Sequence, residues 1–429
     1  MKWINEQDIE VFLNQTDYDI RKTGNARWID QKCTPDVVTI VADCIVNYVS
    51  QSPSLSSEDV VTVVADYVVG YASEETVFSS VDIWHNEYTV INVESLFKKP
   101  NPDEKKARNE YDKFFQQPME MLSYAGVLNK HKIKNRNFYS IKNRELLDFI
   151  ALREKNALTF LKIYIHKVLI DSNMWEMFEV FFKKQDAQTY AYLKTKFAEF
   201  IIKHTPIKGE TECFRIFTKV LNPLAYTYNI QGTEKGRLSR HKITYDMLMY
   251  NRDNFRDIYA NKPKEFTRRQ YAEQQGISLT SNYTKYLSQK AKRVIRTFND
   301  TYRGGITEVT DINHTQDVAT NIHHIFPESA FPQISAVLEN LIALTPTQHY
   351  NYAHPLGNTQ IVDESFQHLC LLAKIHSIES NLKSNIEETI YDFEKLIFVL
   401  VEGFSDTTFN EIDDMDFERV IQKINFRYS

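Results

Sequence analysis

Three histidines and an asparagine carry the chemistry this sequence offers. His323 and His324 are adjacent and close a short apolar run within Asn321-Ile-His-His-Ile-Phe-Pro327-Glu-Ser329. Asn340 follows sixteen residues after His324, inside Leu338-Glu-Asn-Leu-Ile-Ala-Leu344, and His349 comes nine residues later. Successive strand residues point to opposite faces, so the two adjacent imidazoles cannot share one role. One can join His349 in holding a divalent ion. The other can act on substrate as a general base, since an unperturbed imidazole titrates near neutrality. An ion that stabilises phosphate charge, beside a base that activates water, is the equipment of phosphodiester hydrolysis.

The elements that must position these groups are legible in the same stretch. The two apolar runs have strand length and composition. Thr345 followed by Pro346 predicts a helix start, with a hydroxyl at the N-cap and proline at the first helical position. His349 then falls in the first helical turn. The expected order is strand, strand, helix, with histidines on the first strand and on the helix.

These residues resemble the HNH (ββα-metal) nucleases: His323-His324-Ile-x-Pro327-x-Ser329, Asn340 and His349 match the family's three signature elements in type, order and approximate spacing. The resemblance covers about residues 305–360. It implies that His323 and His349 are metal ligands and His324 the general base. It implies also that Asn340 completes the catalytic set by bracing the loop between the strands. The implied cofactor is a divalent metal ion, Mg2+ in the first instance, with Mn2+ or another transition metal admitted by imidazole ligands. Members with a further helix ligand often carry it four residues after the third motif residue, which here is Ala353. His354 is one step on, about 100° further around the helix.

The whole chain bounds this reading. Its 429 residues and 42% hydrophobic content suit several globular domains. No apolar run approaches the roughly 18 residues of a membrane span, and the N-terminus lacks the features of a signal peptide. Four cysteines, at 33, 44, 213 and 370, form no Cys-x-x-Cys pair, which argues against a disulfide framework and against a zinc staple. A reducing cytoplasm is the expected location. The formal net charge of −6 is unevenly spread. Residues 233–303 hold sixteen Lys/Arg against seven Asp/Glu, a balance of +9, whereas residues 377–429 hold five against twelve, a balance of −7. A basic block beside the histidines is the footprint expected for phosphate binding, although such blocks are also ordinary solvated faces.

The expected fold class is mainly α with small α+β modules, in a multidomain chain. Residues 1–165 form an N-terminal domain. In it Val37–Tyr48 reads as an amphipathic helix, and residues 59–72 leave helix or strand open. Arg27-Trp-Ile-Asp-Gln-Lys and Thr-Pro-Asp resemble regions of restriction endonucleases. Asp30 and Lys32 pair a carboxylate with a lysine, as a second nuclease site would, but no paired strands flank them. Residues 101–145 read as helix, tight turn and basic hairpin, the order of a winged helix, with Arg136 placed to meet DNA. Residues 166–303 form a helical and basic DNA-binding region. There Arg237 and Arg240 offer phosphate contacts. Residues 266–298 resemble a helix-turn-helix, with Arg268 and Arg269 on its first helix and Lys285, Lys292 and Arg293 on its second. Residues 304–376 form the nuclease module and 377–429 an acidic helical cap.

One nuclease module joined to several hundred residues of sequence-reading surface implies a Type II restriction endonuclease cutting double-stranded DNA at a specific sequence. By the same resemblance it acts as a homodimer, one site per strand, with a cognate DNA methyltransferase in the same system and no membrane partner. The alternatives are an HNH endonuclease that requires modified DNA, and a DNA-binding regulator whose HNH module is not catalytic.

Overall fold

The computed structural model describes residues 3–51, 76–97, 99–104, 107–250, 263, 266, 270, 271, 274, 281–310, 317–353 and 362–429. Helices hold most of these residues, and the strands form three separate two-stranded antiparallel sheets. No helix among the described residues is long and apolar enough to cross a membrane. The chain divides into two compact units, Ile4–Arg252 and Asp253–Ser429, with Met1–Trp3 joined to the second.

In the first unit, α1 (Pro35–Gln51) begins at the expected Thr-Pro step. It packs along α3 (Arg144–Leu152) and α4 (Glu154–Asp171). Helix α2 (Arg108–Tyr124) buries Tyr111, Phe114, Phe115, Met119 and Leu122, the apolar stripe expected from their helical spacing. It leads into a hairpin of β1 (Leu128–Ile133) and β2 (Arg136–Ile141). The helix, turn and hairpin expected over 101–145 are therefore present. The expected division between residues 165 and 166 falls inside α4. Helices α5 (Trp175–Lys184), α6 (Ala187–His204) and α7 (Glu210–Thr227) follow as the aromatic-rich middle. Their rings pack on one another: Phe197 and Phe217 have centroids 5.3 Å apart, and Phe178 packs on both. The run around Arg237 is a second hairpin, β3 (Gln231–Glu234) with β4 (Arg237–Lys242). Its two-residue turn, Lys235-Gly236, has positive φ at both positions, the backbone of a type I′ turn.

The second unit is built around a pair of short strands. Strand β5 (Asn321–His324) runs antiparallel to β6 (Leu341–Leu344), with His323 opposite Ile342 and His324 opposite Leu341. All of β6 is buried. Helix α8 (Ser281–Tyr302) packs on β6 through a face that includes Val294, Ile295 and Phe298. From the C-terminal side come α9 (Glu364–Lys383), α10 (Phe393–Phe404) and α11 (Phe417–Tyr428). A buried ion pair ties α9 to β6. Lys374 Nζ lies 3.2 Å from Glu308 Oε2, and the Ala343 backbone N–H donates to Glu308 Oε1 at 2.9 Å. Burial alone would raise the Glu308 pKa, but Lys374 and Arg303 outweigh it and hold the carboxyl below its ordinary range.

Candidate active site

The local sequence explains how His349 is placed. The Thr345 hydroxyl accepts from the Gln348 backbone N–H at 3.1 Å, and Gln348 Oε1 accepts from the Thr345 N–H at 3.1 Å. This reciprocal pair is a capping box. Gln348 also receives the Thr307 hydroxyl and donates to the Val309 carbonyl at 2.8 Å, so the start of the helix is bound to the segment before β5. Pro346 and Thr347 are helical, and Gln348–Ala353 continue as a π-helical turn.

Strand alternation then separates the two adjacent imidazoles. His323 faces the helix, its ring centroid 5.3 Å from that of His349 with the planes at 80°. His324 faces the other way, toward α8 and the loop after β5. Its Nε2 lies 2.9 Å from the Ser335 carbonyl oxygen, 3.3 Å from Ser288 Oγ and 3.9 Å from Glu328 Oε2. A carbonyl only accepts, so Nε2 carries the proton and Nδ1 keeps the lone pair. Burial, together with the nearby Lys292 ammonium, pushes the His324 pKa down to about 4, against a partial upward pull from the Ser335 carbonyl. Lys292 is itself lowered by burial, with Glu328 acting in the opposite sense.

Asn340 closes the loop between the strands. Its Oδ1 accepts from the Phe326 backbone N–H at 2.9 Å, and its Nδ2 donates to the carbonyls of Phe326 at 3.1 Å and Ile334 at 3.3 Å. Both lone functions of one amide are thereby spent on backbone, which holds the ends of the 326–334 segment together. Phe326 is seated as well by Gly403, where a Cβ would fall 2.5 Å from its ring.

Two imidazoles that share one ion at a metal–nitrogen distance of about 2.0–2.1 Å have ring centroids about 5 Å apart at a tetrahedral ligand angle. The separation of His323 and His349 would allow the two rings to hold one divalent ion between them. Among the described residues no group of three or more His, Cys, Asp and Glu is placed to hold a metal ion. His354 lies outside the described residues.

The residues expected to meet DNA are distributed over both units. Arg136 is exposed at the start of β2, and Arg237 and Arg240 are exposed on β4, beside exposed His241 and Lys242. Lys285 and Arg293 are exposed on α8, whereas Lys292 is half-buried. Arg268 and Arg269, and most of the first helix expected for the helix-turn-helix, lie outside the described residues. The helix expected as its second is present as α8, and it also turns Ser288 toward His324. Asp30 is fully buried and paired with Arg27, not with Lys32.

Sequence reasoning missed Ser335, Ser288 and Glu328, the groups around Nε2 of His324. Ser335 acts through a backbone carbonyl and Ser288 comes from a helix 36 residues upstream, so no local pattern announces them. Gln348 was detectable, because Thr-Pro-Thr-Gln has the Thr-x-x-Gln spacing of a capping box. In comparisons with protein-family models, curated proteins and solved structures, no match to this chain was found.

Proposed function

We propose that this chain is a metal-dependent endonuclease of the HNH type that hydrolyses phosphodiester bonds in double-stranded DNA, acting as a Type II restriction enzyme. The observation that carries the reading is the division of labour between adjacent histidines: His323 beside His349 on one face, His324 anchored through Nε2 on the other. His324 Nδ1 accepts a proton from the attacking water. The Ser335 carbonyl fixes the ring and stabilises the positive charge that the imidazole gains, with Glu328 adding to the same effect. Asn340 keeps the loop that carries that carbonyl in register. Half-buried Lys292 supplies positive charge near the base, where a phosphate would lie. When bound by His323 and His349, a divalent ion supplies charge neutralisation for the phosphate and the leaving oxygen.

The exposed arginines of β2, β4 and α8 serve as phosphate contacts in this reading. One such site per chain cuts one strand, so double-strand cleavage calls for a homodimer, and a methyltransferase of the same system would protect host DNA. The test is calorimetric titration of Mn2+ into the metal-free chain, together with incubation of unmodified and cytosine-modified DNA with Mg2+ or Mn2+. We expect Mn2+ binding that His323→Ala and His349→Ala abolish, and discrete fragments from unmodified DNA. Fragments from modified DNA alone would assign the enzyme to modification-dependent restriction. Absence of both metal binding and cleavage would overturn the proposal.

A further inference from the structure

A second cluster of charge lies in the Ile4–Arg252 unit. Lys32 and Lys99 converge on one carboxylate oxygen: their Nζ atoms lie 2.7 and 2.5 Å from Glu110 Oε1. The Tyr250 hydroxyl completes the group, donating to the same oxygen at 3.0 Å while both ammoniums donate to it. The lysine side chains are only 12% and 10% exposed, whereas Glu110 is 36% exposed. The frame is rigid. Asp36 receives the Tyr250 backbone N–H on both oxygens at 3.0 Å, and the Tyr250 ring packs edge-on to Phe114 at 5.9 Å. Lys32 and Lys99 sit 4.1 and 4.8 Å from the Tyr250 ring centroid.

Two desolvated ammoniums here share a single carboxylate oxygen, two positive charges facing one negative where water screens them poorly. Each ammonium has three donors, of which Glu110 and Tyr250 take two. The partner that moves most easily is the anion, because the Glu110 carboxylate reaches solvent. Burial alone would raise the Glu110 pKa, but the two lysines outweigh it and hold the carboxyl down at about 2.

We infer that Lys32, Lys99 and Tyr250 form a binding site for a phosphate group, which Glu110 fills when no phosphate is present. A tetrahedral oxyanion offers several acceptors to the donors that now crowd onto one oxygen, and brings negative charge to both ammoniums. The phosphate can belong to a DNA backbone or to a free phosphate compound. The site does not depend on the nuclease reading, and either source satisfies it.

The experiment is thermal unfolding of the full chain with inorganic phosphate, against chloride of matched ionic strength, for wild type, Glu110→Gln and Lys99→Met. Filter binding of double-stranded DNA runs alongside. Glu110→Gln removes the competing anion, so it should start less stable than wild type. It should then gain more from phosphate than wild type does, a rise of roughly 2–4 °C at tenfold excess over Kd. Lys99→Met should lose the phosphate response. If it also binds DNA with a shallower salt dependence, the phosphate comes from the nucleic acid. If DNA binding is unchanged, the source is a free phosphate. Equal responses to phosphate and chloride in Glu110→Gln would overturn the site, as would a phosphate rise that survives in Lys99→Met.

Discussion

Glu339 gives a test of the core of the second unit that is independent of any activity. It is 1% exposed, immediately precedes Asn340, and accepts the Asp392 backbone N–H on Oε1 at 2.8 Å. Its Oε2 is buried and meets no partner among the described residues. Burial, against weaker opposing effects from Lys395 and the backbone, pushes the carboxyl up from 4.5 to about 7. Between those values the folded chain keeps a proton that the unfolded chain has released. Stability therefore falls as pH rises through this window and levels off above about 7. At 1.36 kcal/mol per pH unit over about 2.5 units, the loss is about 3 kcal/mol. Glu339→Gln keeps the acceptor for Asp392 and cannot ionise. Its stability relative to wild type should therefore improve by about 2.5 kcal/mol between pH 5 and pH 8, read from urea unfolding of both proteins in parallel. Titrations elsewhere cancel in this difference. A difference that stays flat across the range, or that slopes the other way, would refute the assignment of a neutral buried acid.

Asn340→Ala removes three hydrogen bonds and leaves the buried Phe326 N–H unsatisfied. It should cost about 3–5 kcal/mol in denaturant unfolding, and a loss under 1 kcal/mol would mean the loop holds itself. Lys374→Met removes one of the two cations that face the buried Glu308 carboxylate, leaving Arg303, with an expected cost of about 3 kcal/mol. Adding Glu308→Gln should recover part of that loss, and no recovery would contradict the ion-pair account. The double change Arg237→Ala with Arg240→Ala should reduce the salt slope of DNA binding by roughly 1.8, two phosphate contacts' worth. An unchanged slope would remove β4 from the DNA interface.

The parts of the fold that were legible are those coded by local pattern. Thr345-Pro346 announced the helix that carries His349, and the apolar runs at 321–325 and 341–344 announced two strands of opposite-facing residues. The aromatic spacing in α2 and the stretch through α4, α5 and α6 announced buried helix faces. Hairpin β3–β4 was overlooked because its residues are mostly polar and charged, so it shows no apolar alternation, and only the Lys235-Gly236 turn marks it. Contacts set by tertiary packing left no trace in sequence. Ser288 meets His324 only because α8 lies across β6, and Lys32 meets Tyr250 from 218 residues away. Lys292 illustrates the limit of charge counting. It belongs to the basic block, yet packing turns it half-inward toward His324, while Lys285 and Arg293 on the same helix face outward. Residues 59–72 and the segment with Arg268 and Arg269 lie outside the described residues.

The measurement that bears most directly on the central claim is cleavage of plasmid DNA by wild type and His324→Ala with Mg2+ or Mn2+, at protein concentrations matched for DNA binding. The account predicts discrete fragments from wild type and their loss, by at least about 10²-fold in rate, in the variant that still binds DNA. Equal cutting by both proteins, or cutting by neither while both bind DNA alike, would contradict it.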